Sequence, residues 1–119
     1  VTLDYKDQYD EDDMKISFNS DGVISRIHKD ISTEEAKAES VGLVLVKGPQ
    51  SRRLFLDTLL DLSKNELYLN KFWLELFNVL AEKNIVLDSV EIDKDAWREL
   101  DFHPDMNSIR EKLMLNIPK

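Results

Sequence analysis

Residues 14–27 constrain the fold more than any other stretch. Met14, Ile16 and Phe18 alternate with Lys15 and Ser17, the period of two with which a strand buries one face. Asn19-Ser20-Asp21-Gly22 follows, and Asp-Gly readily supplies the positive φ angles of a tight hairpin turn. Residues 23–27 then read as the returning strand. A lone hairpin is marginal in water, so the rest of the chain must cover its apolar face.

The cover is legible in outline. Residues 1–5 read as a short strand. Residues 41–46 are a near-continuous apolar run, as expected of a strand covered on both faces. Pro49 and Ser51 open a helix to about Ser63, with Leu56, Leu59, Leu60 and Leu62 on one side. A second helix is predicted over 70–83, carrying Trp73, Leu76, Phe77 and Leu80 at helical spacing and ending at Asn84. Strands over 85–92 and 97–101 follow. Pro104 begins a last helix with Met106, Ile109 and Leu113 on one face. The expected fold is α/β, a mixed sheet with flanking helices in a single segment spanning 1–119.

Composition removes several classes of function. The chain has 119 residues, 42% of them hydrophobic, enough for one packed core. It contains no cysteine, which excludes disulfides and thiolate metal sites and fits a cytoplasmic location. The net charge is −8, and the basic residues are scattered, so binding to a phosphate backbone is not expected. No apolar stretch approaches the roughly 20 residues of a membrane span, and no secretion signal opens the chain. The first residue is Val1 rather than Met, as in an excised segment. The acidic run Asp7, Asp10, Glu11, Asp12, Asp13 reads as a solvated loop.

Chemistry concentrates between Trp97 and Asp105. If 97–101 is extended, Trp97, Glu99 and Asp101 project from one face. Two carboxylates at a strand end suit a hard cation such as Mg²⁺, and the neighbouring ring suits an ammonium group. The alternative is a solvent-facing strand whose last Asp precedes a helix N-terminus, where negative charge is stabilised.

Trp97, Glu99, Leu100, Asp101 and Asp105 together resemble the closing motif of the sugar-phosphate and phosphocholine-type nucleotidyltransferases, Trp-x-(Asp/Glu)-Ile-Asp ahead of a helix. Earlier segments are similar in the same order. Asp13 to Ile16, then Asp21 to Lys29, resemble the family's central hairpin and its closing lysine. Glu39-Ser40-Val41-Gly42-Leu43 looks like its Glu-x-(Ile/Val)-Gly-(Ile/Leu) strand. The resemblance implies a Rossmann-like nucleotide-diphospho-sugar transferase fold, of which this chain is the C-terminal, acceptor-side half.

It also implies transfer of a nucleotidyl group from a nucleoside triphosphate to choline phosphate, an aminoalkyl phosphonate or a sugar phosphate, with Mg²⁺ as cofactor. Asp101 maps onto a metal-ligand position, Glu99 and Trp97 onto the acceptor side, and Lys29 onto a phosphate contact. Glu39 maps onto a substrate-facing strand. Lys29 also reads as an ordinary surface lysine, Glu39 as a strand-edge charge, and His28 and His103 as structural. The family's glycine-rich phosphate loop is not found: the three glycines stand at 22, 42 and 48. Tyr68 is followed by Leu69-Asn70, where the family carries an acidic residue. The isolated chain is therefore expected to be inactive and, with sheet edges uncovered, to self-associate. The other readings are a non-catalytic binding or assembly module that keeps the fold, and an unrelated acidic interaction domain, for which 97–105 is not a strand running into a helix.

Overall fold

The computed structural model describes residues 1–99 and 103–115. In chain order the elements are β1 (Thr2–Asp4), β2 (Lys15–Phe18), β3 (Ile24–His28), β4 (Ala38–Ser40), α1 (Pro49–Ser63), α2 (Glu75–Glu82), β5 (Val90–Glu91) and α3 (His103–Leu115). The strands form one mixed sheet in the order β3-β2-β4-β1-β5. Among the described residues only the β1–β5 pairing is parallel. The α/β class and mixed sheet are as expected. No helix among the described residues is long and apolar enough to cross a membrane.

The hairpin forms where its alternation predicts. Asn19 Oδ1 accepts from the Asp21 and Val23 amides at 3.0 Å each. Gly22 sits at φ +76°, a conformation costly for residues with a Cβ. A register shift between Ser17 and Phe18 allows Ile24 and Ile27, three apart, to join the same core.

Ladder partners project to the same face of a sheet. Ile27, Ile16 and Ala38 are successive partners and all are buried. With Leu3 and Ile24 they make the apolar face. The covering helix is α2, through Leu76, Phe77 and Leu80, assisted by Leu74 just ahead of it. Full burial of each such side chain contributes about 1.5–3 kcal/mol. Asn78 on the same helix donates to the Ile27 carbonyl at 2.9 Å and accepts from the Ile27 amide at 2.7 Å. Because β3 lies at the edge of the sheet, this amide stands in for a missing neighbour strand. The helix ends at Glu82 with Lys83 as its C-cap, and Asn84 takes φ +60°, in keeping with its expected role as terminator.

Several expected boundaries are corrected. Residues 41–46 are not a doubly covered strand. The ladder continues only through Val41 N–H to the Thr2 carbonyl and Thr2 N–H to the Leu43 carbonyl. Gly42 at φ +80° then turns the chain out of register, leaving Leu43 and Leu45 exposed at 63% and 74%. The second helix starts at Glu75 rather than at 70, since 65–74 close a series of tight turns. Of 85–92 only Val90–Glu91 pairs, because its partner β1 is three residues long. Residues 97–99 are not a strand. The apolar sides expected on α1 and α3 stay largely open to solvent: Leu56, Leu59, Leu60, Met106 and Leu113 are all exposed.

Candidate functional site

On the opposite face of the sheet from the core, the partners His28, Lys15, Glu39 and Asp4 form a polar row across β3, β2, β4 and β1. The segment between β1 and β2 folds back beside this row. Together with residues 94–99 it encloses a cleft of about 570 Å³. Asp4, Lys6, Asp13, Glu39, Trp97 and Glu99 are among the lining residues.

Three charged groups meet at the cleft floor. Lys6 Nζ stands 3.0 Å from Asp13 Oδ2 and 2.5 Å from Glu39 Oε2. Glu39 is 2% exposed. Its Oε2 accepts no well-formed hydrogen bond, so the ammonium is its partner as an ion pair. Burial pushes the Glu39 carboxyl up from 4.5 to about 7, with pairing to Lys6 opposing the rise and the Asp13 charge adding to it. Burial acts to raise Asp13 as well, but the Asp10 backbone and Lys6 outweigh it and hold Asp13 below its ordinary value. Burial acts to lower Lys6, yet its bonds to Glu39 and Asp13 hold the ammonium above the ordinary lysine value. The floor is thus a cation shared by two unequal carboxyls, one of which takes up a proton near neutrality.

The wall opposite is aromatic. The Trp97 indole N–H donates to Asp4 Oδ2 at 3.0 Å, which ties 94–99 to the end of β1. Asp7, Asp10 and Asp12 extend the acidic lining, and Lys94 and Arg98 are also among the lining residues.

The nominated residues divide clearly. Glu39, Trp97 and Glu99 line this one cleft, although Trp97 and Glu99 reach it from an irregular segment rather than a strand. Lys29 does not line it. It follows β3 beside a separate cavity of about 100 Å³, with its ammonium 2.6 Å from Asp12 Oδ1 and 5.2 Å from the centre of the Phe72 ring. Asp101, the nominated metal ligand, lies outside the described residues. Among the described residues no three His, Asp or Glu side chains are gathered so as to hold a metal ion.

Nothing in the sequence marks Asp4, Lys6, Asp13 or Lys15 individually as site residues. Asp13 belongs to the acidic run read as a solvated loop, yet its side chain is only 12% exposed. No protein-family model, no curated protein and no solved structure matches this chain.

Proposed function

We propose that this chain is the acceptor-side portion of a nucleotidyltransferase domain. In the complete reaction an oxygen of a phosphate or phosphonate acceptor attacks the α-phosphorus of a nucleoside triphosphate, and the bond to pyrophosphate breaks. The observation that supports this reading is the convergence of Glu39, Trp97 and Glu99, far apart in sequence, on one cleft. Asp101, with Mg²⁺, belongs to the same proposal as the metal ligand, and Lys29 as a phosphate contact outside the cleft.

Among the acceptors, those bearing an ammonium group suit the cleft best. Its lining combines carboxylates with the Trp97 and Tyr5 rings, and an ammonium is attracted by both. Choline phosphate and an aminoalkyl phosphonate carry such a group; a sugar phosphate does not. The residues described here bind and orient the acceptor. The phosphate-binding loop is not part of this sequence, so the isolated chain has no expected turnover.

A second reading, a binding module without catalysis, is favoured by one observation: Lys6 already pairs with both the buried Glu39 and the half-buried Asp13 at the floor. Self-association of the isolated chain is part of either reading. Leu45, Val86 and Val90 are exposed at 74%, 65% and 58%, beside the outer edge of β5, which no strand pairs among the described residues.

Titrating the chain with choline phosphate, aminoethylphosphonate, glucose 1-phosphate and inorganic phosphate tests the acceptor assignment. The Trp97 indole N–H and the Glu39 carboxyl are the NMR probes. Saturable shifts with the two ammonium compounds alone are expected. If none of the four moves either signal at millimolar concentration, the cleft is not an acceptor site. If adding any nucleoside triphosphate with an acceptor releases pyrophosphate in step with this polypeptide, the inactive-portion reading fails.

A further inference from the structure

Lys15 is the most deeply buried charged side chain described, 1% exposed, and nothing in the binding of an acceptor calls for it. Its strand position next to Ile16 reads as the polar side of the hairpin, where a lysine would extend into water. Here the ammonium turns beneath the acidic segment. It donates to the backbone carbonyls of Asp10 at 3.3 Å, Glu11 at 2.8 Å and Asp13 at 3.2 Å. A lysine ammonium has three N–H donors and no acceptor, so three carbonyls satisfy it completely.

The surrounding charge explains why such a group is needed. Asp7, Asp10, Glu11, Asp12 and Asp13 lie within seven residues, and Coulomb repulsion would spread them apart. The segment is nevertheless drawn into a tight turn. The Asp13 amide donates to the Asp10 carbonyl at 3.2 Å, and the Asp10 amide donates to Asp13 Oδ2 at 2.8 Å. That same Oδ2 meets Lys6. The carbonyls that bond Lys15 therefore belong to the turn that aims Asp13 into the cleft.

We propose that Lys15 is a built-in cation that assembles the acidic wall of the cleft, a positioning residue acting on Asp13 and, through it, on Lys6 and Glu39. The three carbonyls are held around an ammonium much as oxygen cages are held around a hard cation, with the cation supplied by the chain itself. This goes beyond the assignment of the cleft and holds whatever the cleft binds.

The test compares the chain with Lys15→Met, which keeps an apolar stem and removes the charge. The hydrogen-bonded amides of Asp10 and Asp13 should exchange with solvent about tenfold faster or more, while amides of β2 and β3 should keep their protection. With the wall loosened and the Asp13 and Lys6 charges displaced, the Glu39 midpoint should move away from about 7 by on the order of one pH unit. Because the chain has no cysteine, Lys15→Cys can be alkylated in denaturant at that single site and refolded. An aminoethyl group restores the ammonium, whereas a propyl group of equal length does not. Recovery of slow loop exchange and of the Glu39 midpoint with aminoethyl alone is the expected result.

If Lys15→Met leaves both readouts unchanged, or loosens β2 and β3 as much as the loop, the proposal is overturned. If neither Lys15→Met nor the propyl protein folds, the ammonium serves the whole sheet rather than the acidic wall, and the proposal is overturned as well.

Discussion

Replacing Glu39 with Gln should remove a pH dependence from the stability of the fold. The folded carboxyl titrates at about 7, against 4.5 ordinarily, so between those values the native chain holds a proton that the unfolded chain has released. Stability due to this group is present below about 4.5 and is lost as pH rises through about 7. A difference of about 2.5 units at about 1.4 kcal/mol each sets a ceiling of about 3–4 kcal/mol. The cleft admits water, which screens the interaction, and about 1–2 kcal/mol is the working expectation. The other shifted carboxyls, Asp13, Asp30 and Asp95, are lowered from 3.8, and Lys6 is raised from 10.5. Their windows fall outside this interval. The terminal amine of Val1 is lowered from 8.0 and acts in the opposite sense at the upper end, equally in both proteins. Urea unfolding of the wild type and Glu39→Gln at pH 5 and pH 7.5 measures the effect. The wild type should lose about 1–2 kcal/mol relative to the variant over that span. Parallel behaviour of the two proteins would mean that Glu39 is ionised throughout and that burial does not govern it.

Asn78→Ala strips both hydrogen bonds from the Ile27 backbone and leaves a buried donor and acceptor unpaired. A loss of about 2–4 kcal/mol is expected by chemical denaturation, and a loss below about 0.5 kcal/mol would mean that water replaces the amide. Light scattering across a concentration series should show the chain passing from monomer to dimer, and a monomer at every concentration would show that the exposed Leu45, Val86 and Val90 need no cover.

The parts of this molecule legible in the sequence are those set by neighbours along the chain. The Asn19–Gly22 turn and its flanking strands depend on local geometry and stand where the alternation places them. The core stripe of α2 is legible for the same reason, in Leu76, Phe77 and Leu80. The run over 41–46 misleads because β-branched residues look alike whether a second layer covers them or not, and one left-handed angle at Gly42 decides the outcome. Within the cleft, the chemistry of Glu39, Trp97 and Glu99 marks them out, but not the segment that brings them together. Lys6 and Lys15 carry no such mark. The full burial of Lys15 and the partial burial of Lys6 follow from the fold-back of 5–13 over the sheet, and a lysine reads as a surface lysine until that long-range contact exists. Asp13 is hidden in the same way among acidic neighbours that do remain in water.

The Asn78 amide also bears on how copies of this chain can combine. By occupying the hydrogen-bonding groups of Ile27 it blocks β3 as a template, whereas β5 at the far side of the sheet has no strand on its outer edge among the described residues. A unit with two adhesive ends polymerises, and a unit with one can only be paired off. Association through β5 would therefore stop at a two-fold dimer with both Asn78-capped strands facing outward. The same amide that completes a hydrogen-bond pair inside one molecule thus terminates growth between molecules, and the capped edge separates a finite assembly from a fibre.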